Sequence, residues 1–280
     1  MNSSPHSSAY IDDGRLQWWD SDFLRFVAVK GGFSKAKSVC DVGAGQGHWV
    51  RILKTALPHL NKVLLIDNDP HWVSLLHELA DSGFFLPETN IQKADALSIP
   101  SYDNTFDLVT CQTLLMHLDN PLDAIREMLR VCKPGGSILL SEPINVLNRS
   151  QIFQALAFLT PAESSTLLKA WMAYQHGVKL LKGLDYDIAL RVPWLMAQAG
   201  LNQDEIICLG NPKMHLIAPG STDLLPEYSE ENFQFACAGG LDRDEWDDAV
   251  LAAKKILTLD IDYPPLYSLG GLQLFFAKKK

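Results

Sequence analysis

The sequence has no paired-cysteine motif. Its five cysteines, Cys40, Cys111, Cys132, Cys208 and Cys237, are odd in number, widely scattered and without a CxxC. That speaks against a disulfide framework or a zinc site and predicts reduced core thiols and no metal. No window approaches the roughly 18 uninterrupted apolar residues that a membrane span needs, and the opening stretch MNSSPHSSAY has no apolar signal core. The expectation is a cytoplasmic protein with no membrane partner. Basic side chains are in deficit as well: 24 Lys and Arg stand against 33 Asp and Glu, for a formal net charge of −9. The average surface repels a phosphate backbone, so nucleic acid is not an expected partner. The one basic run, Lys278 to Lys280, reads as a solvated tail. Internal repeats and low-complexity segments are missing too.

What remains is a chain of 280 residues with 47% apolar side chains, enough to bury a substantial core. From residue 36 to 143, short β-branched runs alternate with helical patterns, which is how a parallel sheet of βαβ units reads. SVCDVG, KVLLID, IQKADA, FDLVTC and SILLSEP are the five strands. HWVRILKTAL is a helix stopped by Pro58. Asp69 and Pro70 supply an N-cap and first residue for the next helix, which runs to about Gly83. Asn120 and Pro121 open a third, which KPGG stops.

After residue 143 the pattern turns helical. SQIFQALAFL is followed by TPAESSTLLKAWMAYQHGVKLLKG, with Thr160 as N-cap, Pro161 at N1, Glu163 at N3, and a stripe of Leu167, Trp171, Tyr174, Val178 and Leu181. A helix in VPWLMAQAG, a strand in EIICLG, a helix in RDEWDDAVLAAKKIL capped by Asp242 and a strand in LQLFFAKK complete the chain. The expected organisation is an N-terminal helical cap over 1–35, a ligand-binding core over 36–143, a helical insertion or lid over 144–185, and the rest of the sheet, with a further helical insertion, over 186–280.

The most informative stretch is VCDVGAGQGHWV. Glycines between a strand and a helix let the backbone approach a ligand and aim the free N–H groups of the helix start at it. The dinucleotide fingerprint spaces its glycines GxGxxG; here Gly43, Gly45 and Gly47 give GxGxG. Asp67, ending the second strand, suits an adenosine ribose in NAD or S-adenosylmethionine alike. A pyrophosphate disfavours a nearby anion, whereas a sulfonium with an amino-acid tail welcomes one. Asp41, two residues before Gly43, is such an anion, and an unpaired buried carboxylate is too costly to be incidental.

Five stretches, VCDVGAGQG, LLIDNDP, KADALSIP, FDLVTCQTLLMHLDNP and LRVCKPGGSILLSEP, stand in the order and at the intervals of one family. Over residues 39–143 the chain resembles the class I S-adenosylmethionine-dependent methyltransferases, in the group similar to ubiquinone and menaquinone C-methyltransferases. The resemblance implies an α/β, Rossmann-like, seven-stranded, mostly parallel sheet closed by an antiparallel pair, which matches EIICLG and LQLFFAKK. It also implies S-adenosyl-L-methionine as cofactor. Asp41 with the Gly43, Ala44, Gly45 and Gly47 loop would hold the methionine part, Asp67 the ribose hydroxyls, and Asn68 would lie beside the adenine. Asp95 would accept from the adenine amino group with Ala96 supplying an N–H, and Gln112 would lie near the transferred methyl.

Methyl transfer from a sulfonium is an in-line displacement that positioning and water exclusion can drive, with a base needed only when the acceptor must lose a proton. Candidates for such roles are His117 past the fourth strand, Glu142 at the end of the fifth, and His176 on the insertion helix. Two of them have a plainer reading: a helix-start residue for His117 and a solvent-facing loop acid for Glu142. Arg15, in GRLQWWDSDFLRFV, could pair with the methionine carboxylate while Trp18 and Trp19 close the pocket, or the segment is a surface helix packed on the domain. Phe153, Phe158, Trp171 and Met172 of the insertion would wall a pocket for a small, partly hydrophobic acceptor, or simply hold the insertion together. The expected protein is a monomer or homodimer that methylates a small molecule. The alternatives are a nucleotide-dependent oxidoreductase and a methyltransferase-like binding protein without catalysis.

Overall fold

The computed structural model describes residues 19–86, 88–145, 158–211, 214–217, 228–257, 266–269 and 272–280. Two compact units emerge. The first spans residues 1–142, 189–213 and 272–280; the second spans 143–188 and 214–271.

In the first unit, β1 (Ser38–Val42), β2 (Lys62–Asp67), β3 (Glu88–Lys93), β4 (Phe106–Gln112) and β5 (Cys132–Pro143) join β9 (Leu272–Lys278) and β6 (Ile207–Gly210) in one sheet of order β3-β2-β1-β4-β5-β9-β6. The pairs linking β3, β2, β1, β4 and β5 are parallel, and β6 runs antiparallel to β9. This is the seven-stranded sheet with a terminal antiparallel pair that the sequence led us to expect. The strands β1 and β4 are buried on both faces, as their continuous apolar runs require.

Helices α1 (Ser21–Lys30), α2 (His48–Ala56), α3 (Pro70–Asp81), α4 (Pro121–Val131) and α6 (Ile188–Gln198) belong largely to this unit. Asp20 caps α1 and Asp69 caps α3, each by accepting a backbone N–H, and Pro70 opens α3 as expected. One core gathers Leu24, Val27 and Ala28 of α1, Trp49 and Leu53 of α2, and inward residues of the strands. Trp19 belongs to that core: its ring lies 5.0 Å from that of Trp49, tilted by 43°. It therefore acts as a core side chain. Arg15, Trp18 and Phe153 lie outside the described residues.

Two expectations are corrected here. The helix α4 ends at Val131, ahead of KPGG as expected, but the fifth strand begins at once with Cys132 instead of at SILLSEP, and the four residues 133–136 are absorbed in an irregularity between the Cys132–Phe106 and Ser137–Leu108 pairs. The N–H of Gly135 and the carbonyl of Gly136 are taken by the backbone of Lys279, a partner far along the chain. The third strand is Glu88–Lys93, three residues earlier than IQKADA.

The second unit is helical, with a small sheet. α5 (Pro161–Lys182) begins with the expected capping box, Thr160 and Glu163 each satisfying the other's backbone N–H. It packs with α7 (Phe233–Ala238) and α8 (Arg243–Leu257) around Leu167, Trp171, Tyr228, Trp246 and Ala249. At Gly177 and Gly239 the backbones of α5 and α7 touch, and an added Cβ would fall 1.6 Å from the Phe235 carbonyl oxygen and 1.8 Å from that of Ala173. Strands β7 (Met214–Ile217) and β8 (Leu266–Leu269) form a separate antiparallel pair that the sequence reading missed. Of the expected α5 stripe, Leu181 is exposed, and Met172, expected to wall a pocket, is exposed as well. No helix among the described residues is long and apolar enough to cross a membrane.

Candidate functional site

Parallel strands point their C-terminal ends one way, and ligands of such sheets bind beyond those ends. β1 ends at Asp41 and Val42, β2 at Asp67, β4 at Gln112 and β5 near Glu142. Registers place their side chains. Asp41 pairs with Leu65 and with Thr110, and Gln112 pairs with Ser141. Because side chains alternate with period two, Asp41, Asp67, Gln112 and Ser141 share the sheet face on which α2 packs, where Trp49 Nε1 donates to Thr110 Oγ1 at 2.8 Å. The four form a polar row across four strand ends.

Asp41 is 1% exposed, and neither carboxyl oxygen has a hydrogen-bond partner among the described residues. Burial, with the charge of Asp67 beside it, pushes its carboxyl well above the usual carboxylate range. A buried acid left unsatisfied is expensive, and the expense marks a place for a cation or a donor. Beside it, Gly43, Gly45 and Gly47 all take left-handed backbone, φ 69°, 52° and 71°, with Ala44 buried between them. Side-chain-bearing residues resist that run of conformations, which leaves the loop's amides clustered at the start of α2.

Asp67 ties this loop to the next strand. Its Oδ2 accepts from Gly45 N at 2.9 Å and its Oδ1 from Asp69 N at 2.9 Å. Burial raises its carboxyl more than these amides lower it. Asn68 is exposed beside it. Asp95 follows β3 and is exposed; its Oδ1 accepts from Leu97 N at 2.9 Å, closing a tight turn that buries Ala96.

Gln112 is buried, its Oε1 2.8 Å from His48 Nε2 and its amide nitrogen without a partner among the described residues. His48 is the first residue of α2, directly after Gly47, and sequence reasoning passed it over although it adjoins the glycine loop. Thr113 was missed too. It sits at φ 54°, an outlying conformation for a β-branched residue, and its N donates to the Ser141 carbonyl at 2.7 Å.

Glu142 corrects the solvent-facing alternative. It is 0% exposed, and its Oε1 accepts from Leu114 N at 2.9 Å and Leu115 N at 2.7 Å. Burial outweighs those amides and pushes its carboxyl up to about 8. His117, at the end of the short 3₁₀ turn Leu115–His117, is exposed and closes that turn through its own N–H to the Leu114 carbonyl at 2.9 Å. His176 is exposed on α5, in the second unit. The first unit therefore brings together Asp41, the glycine loop, Asp67, Asn68, Asp95, Ala96, Gln112, His117 and Glu142 at its strand ends. Among the described residues no group of three or more His, Cys, Asp or Glu is placed to hold a metal ion. Cys40, Cys111 and Cys132 are buried thiols, while Cys208 and Cys237 are exposed, contrary to the core reading, and all five are free.

Comparison with known proteins bears on what this row holds. Residues 40–140 match a family model described as a methyltransferase domain. The chain is 27% identical over 170 residues to a demethylmenaquinone methyltransferase of Bacillus cereus (strain ATCC 10987 / NRS 248), covering 60% of this chain and 70% of that one. Among solved structures, a candidate methyltransferase from Bacillus halodurans C-125 superposes with a TM-score of 0.53 at 17% identity, over 93% of this chain and 98% of that one. The [4+2]-cyclase SpnF superposes with a TM-score of 0.50 at 18% identity, over 92% and 80% of the two chains. At such identities the structural likenesses establish the fold, and one fold hosts more than one chemistry.

Proposed function

We infer that this chain, which belongs to the class I S-adenosylmethionine-dependent methyltransferases, passes the methyl group to a small, partly hydrophobic organic acceptor. The observation that carries the reading is Asp41: a buried carboxyl whose two oxygens have no partner among the described residues, beside three left-handed glycines. A buried carboxyl with free oxygens fits a ligand with an ammonium-bearing amino-acid end and a cationic sulfonium better than it fits a pyrophosphate.

S-adenosylmethionine, when bound, supplies an activated methyl group whose transfer needs alignment more than acid or base help. The chain's residues then have separable tasks. Asp41 and the Gly43–Gly47 amides would hold the methionine portion, and Asp67 the ribose hydroxyls. Asn68, Asp95 and Ala96 would border the adenine, and Gln112 the reacting end. Arg15, outside the described residues, would pair with the methionine carboxylate. The acceptor belongs next along the strand ends, where exposed His117 offers a polar group, while Glu142, buried and bound to the Leu114 and Leu115 amides, does not reach it. Relatives of this chain are named as demethylmenaquinone methyltransferases, and a quinone acceptor of that kind supports the acceptor class proposed here. Incubating the protein with methyl-labelled S-adenosylmethionine and a cell extract tests it. Label in a solvent-extractable small molecule is expected; label confined to protein or nucleic acid would overturn the acceptor class.

A further inference from the structure

A carboxyl group buried at the end of β5 is an awkward thing for a fold to carry, and here it has a mechanical use. We propose that Glu142 is a positioning residue for the methyl donor: it holds the backbone at Leu114 and Leu115 so that the Leu114 side chain braces the glycine loop at Gly43. The proposal rests on the reading that the Gly43–Gly47 loop holds the donor.

Three contacts make the chain of positions. Glu142 Oε1 takes both Leu114 N, at 2.9 Å, and Leu115 N, at 2.7 Å. Such amides, buried where the chain leaves β4 and no sheet partner follows, would otherwise be orphaned. Thr113, immediately before them, stands in left-handed backbone with its N bound to the Ser141 carbonyl at 2.7 Å. An unfavourable conformation of this kind persists only when its surroundings over-determine it, and the residue on each side of that turn is held by β5: Ser141 from behind, Glu142 from ahead. The third contact is Leu114 itself. A Cβ built on Gly43 would lie 2.6 Å from Leu114 Cδ1 and 3.2 Å from its Cγ, so the leucine rests directly on the glycine's α-carbon. Gly43 is the first residue of the loop after β1, two positions beyond Asp41.

Glu142 touches none of the proposed donor contacts, yet a shift at Leu114 removes the support under the loop that carries them. The oxygen that binds the two amides needs only to be an acceptor. A glutamine keeps it; a leucine of similar size does not.

The test is the affinity of the full chain for S-adenosylmethionine and S-adenosylhomocysteine by calorimetry, in the wild type, Glu142→Gln, Glu142→Leu, Leu114→Ala and the Glu142→Leu/Leu114→Ala pair. Glu142→Gln should bind within about threefold of wild type. Glu142→Leu and Leu114→Ala should each weaken binding about tenfold or more, and the double variant should be no weaker than about the worse single, because both act through one contact. Multiplying effects, a Glu142→Gln as weak as Glu142→Leu, or a folded Glu142→Leu that binds normally would overturn the proposal. If Glu142→Leu does not fold, Leu114→Ala decides alone, and normal affinity in it refutes the brace. A wild type that binds neither ligand would instead refute the donor-loop reading beneath it.

Discussion

Replacing Glu142 by glutamine should change how stability depends on pH, and by an amount that can be worked out. In the unfolded chain the carboxyl ionises near 4.5; in the native protein burial pushes it up to about 8. Between those values the native state holds a proton that the unfolded state has released, so rising pH favours unfolding. The stability is whole below about pH 4.5, is lost progressively as pH climbs through the window, and is lost in full above about 8. At 1.36 kcal/mol per pH unit, roughly 3.5 units amount to about 5 kcal/mol, of which about 3 kcal/mol has gone by pH 7. Glutamine keeps the acceptor for Leu114 N and Leu115 N and has nothing to titrate. Asp41 is raised in the same direction, but it is present in both proteins and drops out of the difference. Urea unfolding followed by circular dichroism at pH 5, 7 and 9 should therefore show curves close together at pH 5 and the variant increasingly the more stable by pH 9. Parallel behaviour across that range would mean that Glu142 is not a buried neutral acid, and the reasoning would fail.

Two further outcomes follow from the strand-end acids. Asp67→Ala should weaken S-adenosylmethionine binding by about 1–3 kcal/mol, the scale of a lost charge-assisted hydrogen bond, with the circular dichroism spectrum unchanged; unaltered affinity by calorimetry would contradict the ribose assignment. Asp41, held above the usual carboxylate range by burial and by Asp67, should give up a proton when a cationic ligand end arrives, so binding should tighten as pH rises and the measured heat should vary with the buffer's ionisation enthalpy; Asp41→Asn should abolish both dependences.

The fold was legible wherever the determinants were local. Asp69 before Pro70, and Thr160 with Glu163, announce helix starts through side chains within three residues of the amides they satisfy. Near-continuous apolar runs mark β1 and β4 because both faces are covered. The early start of β5 at Cys132 escaped because the backbone of Gly135 and Gly136 is paired with Lys279, far along the chain, and β7 with β8 escaped because two four-residue strands pair across a long separation. The site divides the same way. Asp41 stood out as an acid in an apolar run. The Gln112–His48 contact joins residues 64 apart in sequence, and Glu142 is held by the amides of Leu114 and Leu115, 28 and 27 residues before it. Neither arrangement leaves a mark in its own neighbourhood.

The role proposed for the polar row on β1, β2 and β4 is to hold a sulfonium nucleoside with an amino-acid tail. Titrating the purified chain by calorimetry with S-adenosylmethionine and, separately, with NAD tests it most directly. Saturable binding of S-adenosylmethionine with none of NAD is the predicted result. Saturable binding of NAD by a folded chain that gives no heat with S-adenosylmethionine would contradict it.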